Sequence, residues 1–165
     1  MAPRLKEGTD EGDILSGYNS PWAYFQDLIF GYDGNDTIFG GRGRDTLIGG
    51  DDNDTLFGGT ENDRLYGGQD RDTLYGGDGY DRLYGGSHND ILVGGEGRDT
   101  LYGGAGRDTA NYATSDGQVF VRLDRGQGFF NEAQGDTYNS IENVTGSNYN
   151  DVIFEIGRAS CRERV

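Results

Sequence analysis

The chain has a single cysteine among its 165 residues, Cys161, so no disulfide can form within it. Histidine is equally scarce, and His88 stands alone. That excludes an HExxH zinc-protease motif and any credible Cys–His pair, and no GxSxG elbow occurs. No catalytic constellation is present, and an enzymatic role for this chain is not expected. Apolar residues make up 33% of the chain, too few for a thick core in a protein of one-domain length. No apolar run reaches the length of a signal peptide or a transmembrane span. Export by a route that reads a C-terminal signal predicts this, and a cytosolic protein shows it equally. Basic residues are outnumbered 14 to 29, for a net charge of -15. Phosphates would be repelled, which sets nucleic acid aside as a partner.

What the chain has in quantity is glycine, 31 residues of it, and the glycines are regularly placed. From residue 31 to 111 a nine-residue unit repeats without a break. The rows read GYDGNDTIF, GGRGRDTLI, GGDDNDTLF, GGTENDRLY, GGQDRDTLY, GGDGYDRLY, GGSHNDILV, GGEGRDTLY and GGAGRDTAN. Aspartate holds the sixth place throughout: Asp36, Asp45, Asp54, Asp63, Asp72, Asp81, Asp90, Asp99 and Asp108. Asp27, in the degenerate row WAYFQDLIF, extends the register by one unit. An aliphatic residue holds the eighth place from Ile29 to Leu101, and only Ala110 weakens it.

The first six places of each row form a turn, because consecutive glycines supply the positive backbone dihedrals that other residues resist. The last three, such as Thr46-Leu47-Ile48, favour strand. Alternation turns the eighth side chain one way and the seventh and ninth the other. A three-residue strand buries nothing alone, but stacked copies bury a continuous leucine row. Two units make one coil, so each row stacks on the row two places later. Stacking also repeats the carboxylates about 4.8 Å apart, where they repel unless a cation lies between them. Carboxylate and carbonyl oxygens, without sulfur or imidazole, make a hard oxygen site suited to calcium. Composition alone would fit a disordered acidic linker, but a linker has no reason to place leucine at every ninth residue. Disorder is the expectation only without calcium.

The rows GGRGRDTLI and GGEGRDTLY match the consensus GGxGxDxUx, with U a large aliphatic residue, at every fixed place. The array resembles the RTX nonapeptide family of haemolysin-type repeats. The resemblance implies an all-β fold, a parallel β-roll built as a right-handed solenoid, here with a short irregular β extension at the C-terminal end. It implies several calcium ions between successive turns, about seven for nine strict rows on two edges. It also implies a secreted, extracellular bacterial protein exported unfolded by type I secretion machinery. In the family the sixth-place carboxylates and turn carbonyls are the ligands. Carried onto this sequence, they are the nine aspartates above with Asp27, and the turn glycines Gly41, Gly43, Gly50, Gly59, Gly68, Gly77, Gly79, Gly86, Gly95 and Gly97. The alternative is an accessory module of a secreted enzyme (a serralysin-like metalloprotease, a lipase or an alginate epimerase) whose catalytic domain lies elsewhere, or a segment of an adhesin.

Around the array, residues 1–30 read as a frayed start, an opening repeat with Asp13 sixth and Leu15 eighth, and a loop around Pro21. Trp22, Tyr24 and Phe25 are placed to cap the open end. Residues 112–156 read as a spacer and the start of a further repeat. Residues 118–124 alternate as a strand, and 126–134 form a loop. Residues 135–147 resemble the IENVTGS-type spacer of serralysin-like proteins, and 146–154 are a new repeat with Asp151 sixth and Ile153 eighth. Residues 157–165, GRASCRERV, resemble adaptor-derived sequence, in which case the natural protein is longer; otherwise they are a polar tail. Ninth-place residues form two aromatic ladders, Phe39-Phe57-Tyr75 and Phe30-Ile48-Tyr66-Tyr84-Tyr102. Mutual support is the simpler reading, and a carbohydrate or protein surface the sharper one.

The fourth place distinguishes the two edges. One carries Gly34, Asp52, Asp70, His88 and Gly106; the other carries Gly43, Glu61, Gly79 and Gly97. Aspartate tolerates the left-handed conformation required there better than histidine or glutamate. The edges are therefore expected to bind calcium with unequal affinity. Asp52→Gly, Asp70→Gly and His88→Gly should each shift a calcium titration, and curves superimposable on that of the unaltered chain would dispose of the idea.

Overall fold

A computed structural model of the protein describes residues 4–17 and 26–154. Each row contributes one short strand beginning just after its sixth-place aspartate, and the strands alternate between two sheets. The first sheet runs Arg4–Glu7, Asp27–Tyr32, Thr46–Gly50, Arg64–Gly68, Arg82–Ser87, Thr100–Ala105, Thr137–Asn139, Gln127–Phe129, Phe120–Arg122 and Val152–Phe154. The second runs Ile14–Ser16, Thr37–Arg42, Thr55–Thr60, Thr73–Gly79, Ile91–Gly97, Thr109–Asn111 and Asn143–Thr145. Within the array all pairing is parallel and offset by two rows. Leu47, Leu65, Leu83 and Leu101 stand opposite one another in the first sheet, and Ile38, Leu56, Leu74 and Leu92 in the second. This is the parallel β-roll expected from the nine-residue period.

The alternation of each strand decides what is buried. Every eighth-place residue from Ile29 to Ala110 has no exposed surface, so the core is two facing aliphatic columns. Ninth-place rings stack on the outside. Phe39, Phe57 and Tyr75 have centroids 4.9 and 4.8 Å apart, and Tyr66, Tyr84 and Tyr102 have centroids 4.7 and 4.8 Å apart, with planes within 5° of parallel. Each ring covers the face of the next, so solvent meets mainly ring edges. That arrangement favours mutual support over a platform for stacked sugars.

Backbone conformation explains the second glycine of each row. Gly59 has φ of +118°, and a Cβ there would run into the carbonyl of Gly41 one coil below. At the fourth place Asp52, Glu61, Asp70 and His88 also adopt positive φ, between 69° and 75°. Glu61 is held there by the Gly43 N–H, which donates to its Oε2 at 2.9 Å.

Beyond the array the structure departs from the expected layout. Arg4–Glu7, expected to be frayed, is a strand paired with Asp27–Tyr32. Lys6 stands opposite Ile29, and its ammonium donates to the Ser16 carbonyl at 2.8 Å, linking the two sheets at this end. The aromatic cap around Trp22 and the tail from residue 155 lie outside the described residues. Residues 135–145, read as a spacer, form one more coil. Thr137–Asn139 stacks on Thr100–Ala105, and Asn143–Thr145 on Thr109–Asn111. The chain reaches this coil through an excursion with a short hairpin of Phe120–Arg122 and Gln127–Phe129 and two 3-10 turns. The strand expected over 118–124 is limited to Phe120–Arg122, because Leu123–Arg125 turns. Val152–Phe154 pairs in parallel with Phe120–Arg122. Among the described residues no helix is long and apolar enough to cross a membrane.

Leu74 sits mid-column between Leu56 and Leu92. Leu74→Ala should cost about 2–5 kcal/mol, read as a lower melting temperature at saturating calcium. A loss below about 0.5 kcal/mol would mean that the aliphatic column does not carry the fold.

Candidate metal centre

The turn of each row ends in an aspartate whose carbonyl accepts the N–H of the first strand residue one coil on, as Asp54 accepts that of Thr73 at 2.9 Å. One oxygen of that carboxylate has a set task. Asp45 Oδ1 accepts the backbone N–H of Asp27 at 2.8 Å, Asp63 that of Asp45 at 2.7 Å, and Asp81 that of Asp63 at 2.7 Å. The other edge repeats this through Asp54, Asp72, Asp90 and Asp108, at 2.8 to 2.9 Å. The two edges therefore bring the sequence-predicted aspartates into two continuous ladders, each carboxylate from Asp36 to Asp108 bonded to the coil before it.

The second oxygen has no such partner. Oδ2 of Asp36, Asp45, Asp54, Asp63, Asp72, Asp81, Asp90, Asp99 and Asp108 is buried and accepts no hydrogen bond. A buried acceptor left unpaired costs about 1–3 kcal/mol. Nine of them together rival the entire 5–15 kcal/mol stability of a typical domain. The space beside each is kept open by the first glycine of the row. A Cβ on Gly58 would lie 2.5 Å from Asp63 Oδ2 and 2.5 Å from the carbonyl oxygen of Gly76 in the next coil. Gly76 bears the same relation to Asp81 Oδ2 and the Gly94 carbonyl, again at 2.5 Å. Carboxylate and carbonyl oxygens thus converge on a cradle that any side chain would fill. Among the described residues no three Asp, Glu, His or Cys side chains gather at one point. A cation here must draw on backbone oxygens as well, which suits the six to eight oxygen ligands of calcium.

The turn glycines at the second and fourth places all have positive φ, from 97° at Gly95 to 154° at Gly106. Their carbonyls serve the turn ladder too, as when Gly50 accepts the Gln69 N–H at 2.8 Å. The first-place glycines nearest Oδ2 escaped sequence reasoning, as did two further members of the ladders. Asp136 Oδ1 accepts the Asp99 N–H at 2.8 Å, and Glu142 Oε2 that of Asp108 at 2.9 Å. The pattern Asp136-Thr137-Tyr138, which echoes Asp-Thr-Leu in the rows, was the available signal for the first.

Burial acts on these carboxylates as expected for charges removed from water. It raises Asp45 and Asp81 to about 6, Asp54 and Asp90 to about 7, and Asp63, Asp72 and Asp99 to about 8. The accepted backbone N–H pulls each one down, while neighbouring carboxylates push most of them further up.

Fold and site together define a parallel β-roll with two ranks of buried carboxylates and glycine-lined oxygen cradles. The sequence model of the RTX calcium-binding nonapeptide repeat matches residues 25–47, 48–83 and 84–113, more than half of the chain, and the protein belongs to that family. Its repeats bind calcium, several ions per array. The curated proteins include no match to this chain.

The raised values set a pH dependence for the calcium-free chain. Carboxylates with folded values above their ordinary range stabilise the roll below about pH 4 and lose that contribution as pH rises through about 6 to 8. Decalcified protein should therefore show more β signal by circular dichroism at pH 5 than at pH 8, and millimolar calcium should erase the difference. A decalcified signal that strengthens with rising pH would contradict the burial of these groups.

Proposed function

We propose that the inner aspartates, from Asp36 to Asp108 with Asp27 at the margin, hold calcium through their second carboxylate oxygen. Carbonyl oxygens of the glycine turns complete each shell. Bound there, calcium supplies the positive charge and oxygen coordination that two ranks of buried carboxylates otherwise lack. The chain's own part is to aim Oδ1 at a backbone N–H, which fixes Oδ2, and to keep the cradle clear with glycine. The observation that carries this reading is the row of nine buried, unpartnered Oδ2 atoms.

Since the cation stabilises only the folded roll, calcium and folding are linked. Affinities near 10⁻⁴ to 10⁻³ M, typical of extracellular modules, would leave the chain unfolded in a cell and ordered outside it. The roll is thus a folding switch on a secreted bacterial protein, passed in extended form through a type I export channel. It serves as a calcium-ordered module of that protein rather than as its catalytic part.

Stepwise addition of calcium to decalcified protein at neutral pH should convert a disordered circular dichroism spectrum into a β spectrum, cooperatively and in the millimolar range. An identical ordered spectrum in excess chelator would overturn the proposal.

A further inference from the structure

The nine carboxylates from Asp36 to Asp108 each keep one oxygen buried without a partner, but Asp136 does not. Asp136 follows Asp99 in its ladder and accepts the Asp99 N–H through Oδ1 like any inner member. Its Oδ2, however, accepts the hydroxyl of Tyr112 at 2.6 Å, and that hydroxyl lies 2.6 Å from the hydroxyl of Tyr138. Tyr112 and Asp136 are each 1% exposed.

The row count shows why the phenol is there. Rows begin at 40, 58, 76 and 94 on this edge, and the next would begin at 112. In every inner coil the first place is glycine, which leaves the space beside Oδ2 open. At 112 the first place is tyrosine, and its side chain enters the equivalent space beside the next carboxylate of the ladder. Burial holds the Tyr112 phenol well above its ordinary value, so it keeps its proton and remains a donor. The turn before Asp136 has also changed, since a 3-10 turn, Asn131–Ala133, replaces the paired glycines.

We infer that Tyr112 terminates the calcium ladder of this edge, so that Asp136 is a phenol acceptor and not a metal ligand. This rests on the reading that the inner carboxylates bind calcium. The Asp136 turn then adds no ion of its own beyond those held by the inner carboxylates, and the chain itself sets the number of ions on this edge.

Bound calcium per chain, measured by equilibrium dialysis and atomic absorption, tests the assignment. Asp136→Asn can still accept the Asp99 N–H and pair with Tyr112, so it should bind as many ions as the unaltered chain. The inner variant Asp72→Asn should lose at least one ion. Tyr112→Phe should melt at a lower temperature in saturating calcium with no fall in ion number. Loss of an ion from Asp136→Asn while Asp72→Asn also loses one overturns the inference alone. A lower count in Tyr112→Phe that melts as a folded protein would make the phenol oxygen itself a ligand, and overturns it as well. Full retention of calcium by Asp72→Asn removes the reading of the inner carboxylates, and the inference with it.

Discussion

A carboxylate that gives one oxygen to the backbone of the preceding coil and buries the other without a donor is the constraint around which this protein is built. The first contact makes aspartate, rather than glutamate, the natural sixth residue, because a short side chain reaches the N–H 18 residues earlier without slack. The second makes the fold conditional. Two aliphatic side chains per coil of eighteen residues are a thin core against the conformational entropy of ordering that coil. Stacked ladders add backbone hydrogen bonds, yet each coil also adds two desolvated acids. On the proposed reading folding and charge compensation are one event, and burial of the carboxylates in the central rows raises their values in the direction that reading requires.

Glycine has two separate duties in this arrangement. Second-place glycines take positive φ, and the carbonyl of the coil below lies where a side chain would start. First-place glycines such as Gly58 and Gly76 are absent from the positive-φ residues, so conformation does not require them. They are glycine because Oδ2 and a neighbouring carbonyl lie where a Cβ would be. One duty shapes the turn and the other keeps the oxygen cradle open. Fourth-place residues confirm the distinction from the other side. Asp52, Glu61, Asp70 and His88 carry a side chain at a smaller positive φ, 69–75°, and the carboxylates of Asp52 and Glu61 accept turn N–H groups of Gly34 and Gly43 with no cradle at stake.

The period of nine made the two sheets, the register, the aliphatic columns, the aromatic ladders and the inner aspartates legible in the sequence, since a strict repeat leaves only one way to stack. It failed where a coil was built without it. In residues 135–145 only Ser140 and Ile141 separate Asn139 from Glu142, so the turn is too short for the nine-residue count, and glutamate replaces aspartate. Arg4–Glu7 places Lys6 where an aliphatic residue is expected, an exchange tolerated only at an end, where the ammonium can reach Ser16. The first-place cradle was hidden for another reason: Gly-Gly looks like one signal, and only coordinates separate a glycine needed for its φ from one needed for its missing Cβ.

The two ends of the ladders show what the middle requires. At the N-terminal end Asp13 Oδ2 accepts the Thr9 N–H at 2.7 Å and the Thr9 hydroxyl at 3.0 Å. At the C-terminal end Asp136 Oδ2 accepts the Tyr112 hydroxyl. In both places a residue of the chain does what no residue does for the nine aspartates between them. Supplying a donor from within needs an irregular segment, residues 8–12 in one case and the excursion from 112 in the other. Such segments break the nine-residue period, and both stand outside the strict rows. An uninterrupted roll must therefore leave its inner carboxylates to a partner that adds no chain. A small divalent cation held partly by backbone oxygens meets that requirement at every coil without altering the repeat.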